Sequence, residues 1–382
     1  MKAIGIIAEY NPFHKGHLYH LSKIKELYKD YTIVLVISGN FTQRGDVSII
    51  DKWKKTEIAK KAGIDLIVEL PFPFATQSAD YFSYGAITIL EYLQVERVIF
   101  GSESNNIADL ETIVDAELNN EEFDKLVKIY SKFGYNYPTA LSLALKDLTS
   151  KTITTPNDLL GISYIKAIRQ NNYKIIPETI KRTSSYHDEK LLEYSSATAI
   201  RKALKEKQKI DEYVPEITLP YLNNLHFIED YFQLLKYKII TTYDLSIYQT
   251  VDDGIDKAIK KEILNTTSYE DLINKLKSKR YTYNKITRML LHILCDFTKE
   301  KAQKFKNISY IRILGFNEKG QKYLNKIKKE VPVPLISKIN RTKDSMLEYE
   351  LYTTTIYSLI ESNENQNKLI EKEYKNLMNK GE

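Results

Sequence analysis

Four short apolar runs dominate the first hundred residues: "AIGIIAE" (3–9), "TIVLVIS" (32–38), "DLIVEL" (65–70) and "RVIFG" (97–101). Each is long enough for a strand; the first, a continuous apolar run, reads as a strand buried on both faces, and the second as another buried strand. Helical stretches separate them. From about Gly16, Leu18, Leu21, Ile24 and Tyr28 recur near a period of 3.6. "DKWKKTEIAKKAG" has Asp51 as a plausible N-cap and Gly63 past its end. "ADYFSYGAITILEYL" precedes the fourth run. Strands alternating with helices predict an α/β fold with a parallel sheet and right-handed crossovers.

In such a sheet ligands bind beyond the carboxyl ends of the strands, at a switch point. The segment "AEYNPFHKGHLYHL" (8–21) occupies that place after the first strand and holds three of the chain's six histidines: His14, His17 and His20. His14 and His17 flank Gly16 at the start of a helix, where free N–H groups and a partial positive charge attract phosphate. Two imidazoles there are suited to donating hydrogen bonds to phosphate oxygens, and a glycine lets a flat base approach the backbone. His20, one turn further on, reads as a neighbour facing solvent. A second helix start, "SSATAIRKAL" (195–204), combines capping hydroxyls with Arg201, a pairing suited to a triphosphate.

Beyond the fourth run the pattern is mostly helical to about residue 172. One more strand is expected in "YKIIPETI", a connector in "VPEITLPYL" (214–222), and lysine-rich, mostly helical chain after it. Ile286, Met289, Leu290, Ile293, Leu294 and Phe297 share one helix face. Lys285, Arg288 and His292 share the opposite one. The charge is uneven: Lys275 to Lys306 contains eight lysines, two arginines, one aspartate and one glutamate, or +8, against +6 for the whole chain. A surplus so confined predicts a local polyanion site. The tyrosines of "KSKRYTYNKITR" (277–288) are of the kind that stack on splayed bases.

No apolar run approaches the roughly 18 residues needed to cross a bilayer. The N-terminus reads as a buried strand, not a signal peptide. Cys295 is the only cysteine, which excludes an intrachain disulfide and a cysteine-rich zinc site. The setting expected is reducing and cytoplasmic. No carboxylate cluster has a metal-site spacing, and nothing in the pattern specifies an oligomeric state.

His14-Lys15-Gly16-His17 after a first strand, with a late serine/arginine helix start, resembles the "HIGH" nucleotidyltransferase superfamily. More narrowly, "GIIAEYNPFHKGH", "SGNFTQRGDVSIIDKWKKTEIAKKAGIDLIVELP", "ADYFSYGAI", "PNDLLGISYIKAI", "SSATAIRKAL" and "KRYTYNKITRMLLHIL" together resemble the bacterial tRNA(Met) cytidine acetate ligase family. One departure is visible: in the pattern Ile-Ser-Ser-Thr-x-Ile-Arg aligned on Arg201, the second serine falls on Ala197, while Ser196 and Thr198 match.

The resemblance implies a Rossmann-like nucleotidyltransferase domain over residues 1–213 and a mostly helical, basic, tRNA-binding domain over 214–382. It implies a ligase that joins acetate to the α-phosphate of ATP, releases pyrophosphate and passes the acetyl group to N4 of the wobble cytidine of elongator tRNA(Met), with Mg2+ accompanying ATP. His14 and His17 carry the catalysis in this reading. The implied ATP site comprises Ile7, Ala8, Glu9, Tyr10, Asn11, Pro12, Phe13, His14, Gly16, His17, His20, Gly101, Asn157, Arg182, Ser196, Thr198 and Arg201. Gln43 and Arg44, in the polar loop "SGNFTQRGD" (38–46), are candidates for acetate or the incoming cytidine. Lys277, Lys279, Arg280, Tyr281, Lys285 and Arg288 are candidates for tRNA.

Two other function classes fit parts of the pattern. A small-molecule adenylyltransferase of coenzyme biosynthesis uses the same His-x-Gly-His chemistry but does not need the basic C-terminal region. A non-catalytic RNA-binding protein needs that region but not His14, Gly16, His17 and Arg201 together.

Overall fold

The computed structural model describes residues 1–135, 137–151, 155–182, 195–252, 254–278, 280–339 and 343–375. Lys279 lies outside the described residues. Seven strands among them form one sheet: β1 (Ala3–Ala8), β2 (Thr32–Ser38), β3 (Leu66–Leu70), β4 (Arg97–Ser102), β5 (Ile176–Lys181), β6 (Ile311–Phe316) and β7 (Leu335–Ile336), in the order β5-β4-β1-β2-β3-β6-β7. The β1–β2, β2–β3, β1–β4 and β4–β5 pairs are parallel. The chain steps outward from β1 to β3, then returns to the other side of β1 for β4. The switch point therefore lies between β1 and β4.

The elements follow local chemistry. All seven residues of β2 are buried, as its unbroken β-branched and aliphatic run requires. Asp51 caps the Lys52–Lys61 helix by accepting from Trp53 N (2.9 Å) and Lys54 N (3.0 Å), and Gly63 follows its end at φ +85°. Ile286, Met289, Leu290, Ile293, Leu294 and Phe297 are all buried on or just beyond the Tyr283–Leu294 helix. Full burial of each such side chain stabilises the fold by about 1.5–3 kcal/mol.

The chain beyond residue 214 is mostly helical, as expected, and it also adds two strands to the sheet. β6 pairs antiparallel with β3, and β7 adds to β6. The sheet thus crosses the boundary expected near residue 214, and its core is continuous with the packing of the later helices. The tie is ionic as well as apolar. The Lys52 ammonium, fully buried, lies 2.9 Å from both Glu69 on β3 and Glu373 on the Asn363–Tyr374 helix, and Arg312 on β6 lies 3.5 Å from Glu373.

Candidate active site

A cleft of about 630 Å3 opens at the carboxyl ends of β1 and β4, within the range of about 300–1,000 Å3 usual for ligand pockets. Ile7, Ala8, Glu9, Tyr10, Asn11, His14, Gly16, His17 and His20 line it from the first strand, loop and helix. Gln43 and Arg44 line it from the loop after β2, Gly101 from the end of β4, Asn157 from the Pro156–Gln170 helix, Arg182 from the end of β5, and Ser196, Thr198 and Arg201 from the Ala197–Lys205 helix. Residues from well-separated parts of the chain are thereby brought to one cavity. Pro12 and Phe13 do not reach it. Phe13 is buried against Tyr10 (ring centroids 4.8 Å) and His17 (5.7 Å) and holds the loop from behind.

The two imidazoles form a stacked pair, centroids 3.7 Å apart and 22° between planes. The backbone N–H of His14 donates to His17 Nδ1 at 3.3 Å. A neutral His17 therefore carries its proton on Nε2, where it can donate to a ligand. Both rings are held neutral. Burial, followed by the nearby charges of Arg182 and Arg201, pushes His14 down to about 3. Burial and then His14 lower His17. His14 Nδ1 and His20 Nε2 are buried with no hydrogen-bond partner among the described residues. His20 is thus a wall of the cleft and not a solvent-facing neighbour; burial takes it down to about 4.

The structure refines the role of Gly16. A Cβ there would meet His14 Cε1 at 3.0 Å and Nδ1 at 3.1 Å, so the missing side chain makes room for the His14 ring. The helix N-terminus also offers less than a bare helix start. Lys15 N–H donates to Tyr213 O (3.2 Å), and His17 and Leu18 N–H both donate to His14 O (2.9 and 3.1 Å), which leaves Gly16 N–H as the open donor of that turn among the described residues.

The other walls are braced from behind. Asn11 accepts from Ile49 N (2.8 Å), and its own carbonyl accepts from Arg201 Nη1 (2.8 Å). The buried Lys55 ammonium donates to the carbonyls of Glu9 (3.1 Å), Ser38 (2.7 Å) and Gly39 (2.6 Å), which ties the ends of β1 and β2 together; burial lowers it to about 7. Gln43 N–H donates to Glu9 Oε1 at 2.7 Å. The Ser196 hydroxyl oxygen caps its helix by accepting from Ala199 N (3.2 Å), leaving its proton for the cleft. Asn157 turns its amide N–H toward Glu103 Oε1, which also lies 3.6 Å from Arg182 Nε. Gly101 lies under Arg182: a Cβ on it would stand 3.2 Å from Arg182 Cγ. Arg44, Lys181, Arg182, Arg201, Lys202 and Lys205 outnumber Glu9, Asp46 and Glu229 around the cavity, a balance suited to polyphosphate.

The expected tRNA residues divide. Lys277 and Arg280 are exposed. Lys285 pairs with Asp252 (2.7 Å) and lies over the ring of Tyr281 (4.8 Å), which is buried and cannot offer that ring to a base. Arg288 is half-buried. His292 is not on a basic surface. It is fully buried between Gln249 O and Thr76 O, both 3.0 Å away, and burial lowers it to about 4. Its surroundings were not visible as helix periodicity because two distant loops supply them. Sequence reasoning also missed Asp46, Tyr269, Tyr283, Asn284 and Thr287, which line the cleft. The signal for Asp46 lay in "SGNFTQRGD", and that for Tyr283 in the "YTYN" preceding the amphipathic helix.

Residues 1–372 match the family model described as HIGH Nucleotidyl Transferase. The chain is 38% identical to the tRNA(Met) cytidine acetate ligase of Geobacillus sp. (strain WCH70), over 98% of each chain. Its structure is similar to that of Thermotoga maritima TmcAL in the apo form, with a TM-score of 0.90 and 32% identity over 96% of each chain. It is likewise similar to Thermotoga maritima TmcAL bound with alpha-thio ATP, with a TM-score of 0.86 and 31% identity over 96% of each chain.

Proposed function

The chain belongs to the tRNA(Met) cytidine acetate ligase family of the HIGH nucleotidyl transferases, and from that membership and the cleft we propose an ATP-dependent ligase that acetylates N4 of the wobble cytidine of elongator tRNA(Met). The observation that carries this reading is the stacked, neutral His14–His17 pair at the β1–β4 switch point, with Arg182 and Arg201 converging on the same cavity.

In the first step an acetate oxygen attacks the α-phosphorus of ATP. The new O–P bond replaces the bond to the β-phosphate, and pyrophosphate leaves with that electron pair. Negative charge grows on the α-phosphate oxygens and the leaving group. Donors already fixed in place stabilise it without reorganisation. His17 Nε2–H is such a donor, and neutral imidazoles donate without themselves demanding a counter-charge. His14 and His17 each supply about 2–4 kcal/mol, by analogy with the loss of one oxyanion donor. Arg182, Arg201, Ser196 and Thr198 hold the phosphates, and Gly101 and Asn157 border the nucleoside. Gln43 and Arg44, on the loop held by Glu9, face acetate. In the second step N4 takes the acetyl group and AMP leaves.

No group of three His, Cys, Asp or Glu side chains among the described residues is placed to hold a metal ion. Mg2+ is proposed to accompany ATP, held through the phosphates and water. Lys277, Arg280 and their neighbours adjoin the cleft in sequence through Tyr283 and Asn284, which supports tRNA binding at its mouth. We place the reaction in the cytoplasm. No helix among the described residues is long and apolar enough to cross a membrane, and Cys295 is a buried free thiol.

The test is incubation with ATP, acetate and unmodified elongator tRNA(Met), with assay of AMP, pyrophosphate and N4-acetylcytidine. Acetate-dependent formation of all three is expected. Pyrophosphate release with a nucleotide acceptor and no acetate requirement would instead assign a small-molecule adenylyltransferase.

A further inference from the structure

Part of the lining of the cleft comes from the C-terminal half of the chain. Tyr269 lines it from the Tyr269–Leu276 helix; Tyr283, Asn284 and Thr287 come from the Tyr283–Leu294 helix. Asp46, at the end of the loop after β2, lines the same cleft. Its Oδ2 is 4.0 Å from Arg201 Nε, and its charge also acts on the hydroxyls of Tyr269 and Tyr283.

Three features of this lining are not used by the phosphate-holding groups proposed above. Tyr283 is 43% exposed, and its hydroxyl is tethered to Glu270 Oε2 at 3.3 Å, so the ring is steadied by its far end with area left uncovered. Tyr269 is 2% exposed, and its hydroxyl has no hydrogen-bond partner among the described residues. Asp46 spends Oδ1 on Val47 N–H (2.8 Å), while Oδ2 has, among the described residues, only the guanidinium at 4.0 Å, too far for a hydrogen bond. An aromatic surface, a buried hydroxyl and an available carboxylate oxygen thus converge. A flat, amine-bearing heterocycle matches all three.

We propose that Tyr283, Tyr269 and Asp46 form the seat of the acceptor nucleobase, with the Tyr283 ring stacking on an aminopyrimidine and Asp46 Oδ2 taking the proton of its exocyclic amine. This rests on the acetyl-transfer reading of the site. The chemistry calls for such a base because the cytosine N4 lone pair is delocalised into the ring and the amine is a poor nucleophile. As N4 attacks the acetyl carbonyl carbon, the C–N bond forms and one N–H proton passes to Asp46. The carbonyl is restored as the C–O bond to phosphate breaks, and AMP leaves with that pair. Asp46 returns the proton to water. Burial holds the Asp46 carboxyl above its ordinary range, against the opposing pull of Arg201, which makes it a better base than an exposed aspartate.

The test measures two half-reactions on the full chain: acetate-dependent pyrophosphate–ATP exchange without tRNA, and acetyl transfer to an unmodified tRNA(Met) transcript. Asp46→Asn keeps the Oδ1 acceptor for Val47. Its ratio of transfer to exchange is expected to fall by about a hundredfold or more, the usual scale of general-base catalysis. Tyr283→Leu is expected to lower transfer at limiting tRNA about tenfold relative to exchange, and Tyr283→Phe to restore it. Exchange also reports that each variant is folded. A parallel fall in both half-reactions of Asp46→Asn, or equal transfer by Tyr283→Leu and Tyr283→Phe, would overturn the seat while leaving the ligase intact. Absence of acetate-dependent exchange in the unaltered protein would remove the ligase reading itself, and the seat with it.

Discussion

Gly45 lies so close to Arg288 that a Cβ on it would stand 2.2 Å from the Arg288 backbone nitrogen and 2.5 Å from its Cα. Gly45 also has φ +78°, in the left-handed region. One residue earlier, the carbonyl of Arg44 accepts from the Thr287 hydroxyl. The loop carrying Gln43, Arg44 and Asp46 is therefore locked onto the helix that carries Tyr283, and two distant parts of the chain share one cleft. Gly45→Ala adds a backbone cost of about 1–2 kcal/mol at left-handed φ and pushes the helix away. Equilibrium urea unfolding should show a loss of at least that size, with a larger fall in acetyl transfer than in pyrophosphate exchange. A loss under about 0.5 kcal/mol would mean that loop and helix do not hold each other.

This packing also marks where the sequence stopped being legible. The four strands of the first hundred residues could be placed because each is a local apolar run, and His14, Gly16 and His17 because strand, loop and helix are contiguous. The helix N-terminus was only half legible, since its first N–H is taken by Tyr213 O from a segment far along the chain. β6 escaped notice because Arg312 interrupts its apolar run, and Glu373, on a later helix, helps make burial of that guanidinium tolerable. Lys52 and Lys55 look like a solvated face in "KWKK", yet both are buried. His292 sits on what looked like a basic face because its partners, Gln249 and Thr76, lie in other segments. What failed in each case was the partner, not the period.

Neutrality of His14 has two consequences for pH. Folded, the ring takes a proton only near pH 3, held down by burial, Arg182 and Arg201; unfolded, it does so near 6.5. Acetate-dependent exchange should therefore show no inflexion from His14 between pH 8 and 5. Arg182→Gln removes one opposing charge and should move an acid limb upward as well as weaken ATP binding; a limb that stays put would discount the Arg182 field. Between the two values the unfolded chain holds more protons than the folded one, so this group's contribution makes stability fall as pH falls from about 6.5 toward 3. At pH 5 the loss from His14 alone is about 2 kcal/mol. Urea unfolding of the native protein and of His14→Asn across that range measures it.

The basic stretch should act through its exposed members. Lys277 and Arg280 are open to solvent, whereas Lys285 is engaged with Asp252 and Arg288 is half-buried beside the Gly45 loop. Each phosphate that a cation no longer neutralises reduces the slope of log affinity against log salt by about 0.7–0.9. The Lys277→Ala, Arg280→Ala double variant should lower that slope by about 1.5 for tRNA(Met) and leave pyrophosphate exchange as it was. Fluorescence titration at several KCl concentrations decides it. An unchanged slope would move the tRNA interface elsewhere.

The buried ionic cluster should be essential at one residue and tolerant at another. Lys52 stands 2.9 Å from Glu69 and from Glu373, and those two carboxylates raise its pKa although burial alone would lower it. Glu350 has the opposite fate. Burial, then the charge of Glu69, pushes its carboxyl well above the usual range, which favours the neutral form, and it accepts from Phe72 N–H at 2.7 Å. With Glu350 neutral, Lys52 and Arg312 balance Glu69 and Glu373. Lys52→Met strands buried negative charge and should cost about 3–5 kcal/mol. Glu350→Gln keeps an acceptor oxygen for Phe72 and changes no charge, so it should cost less than about 1 kcal/mol. Equal losses in urea unfolding would mean that Glu350 is ionised. The cluster reaches the chemistry through the next turn of the same helix, where Lys55 holds the carbonyls of Glu9, Ser38 and Gly39. Lys52→Met should therefore lower pyrophosphate exchange even where the chain is still folded, because the strand end that aims His14 and His17 is anchored one helical turn away.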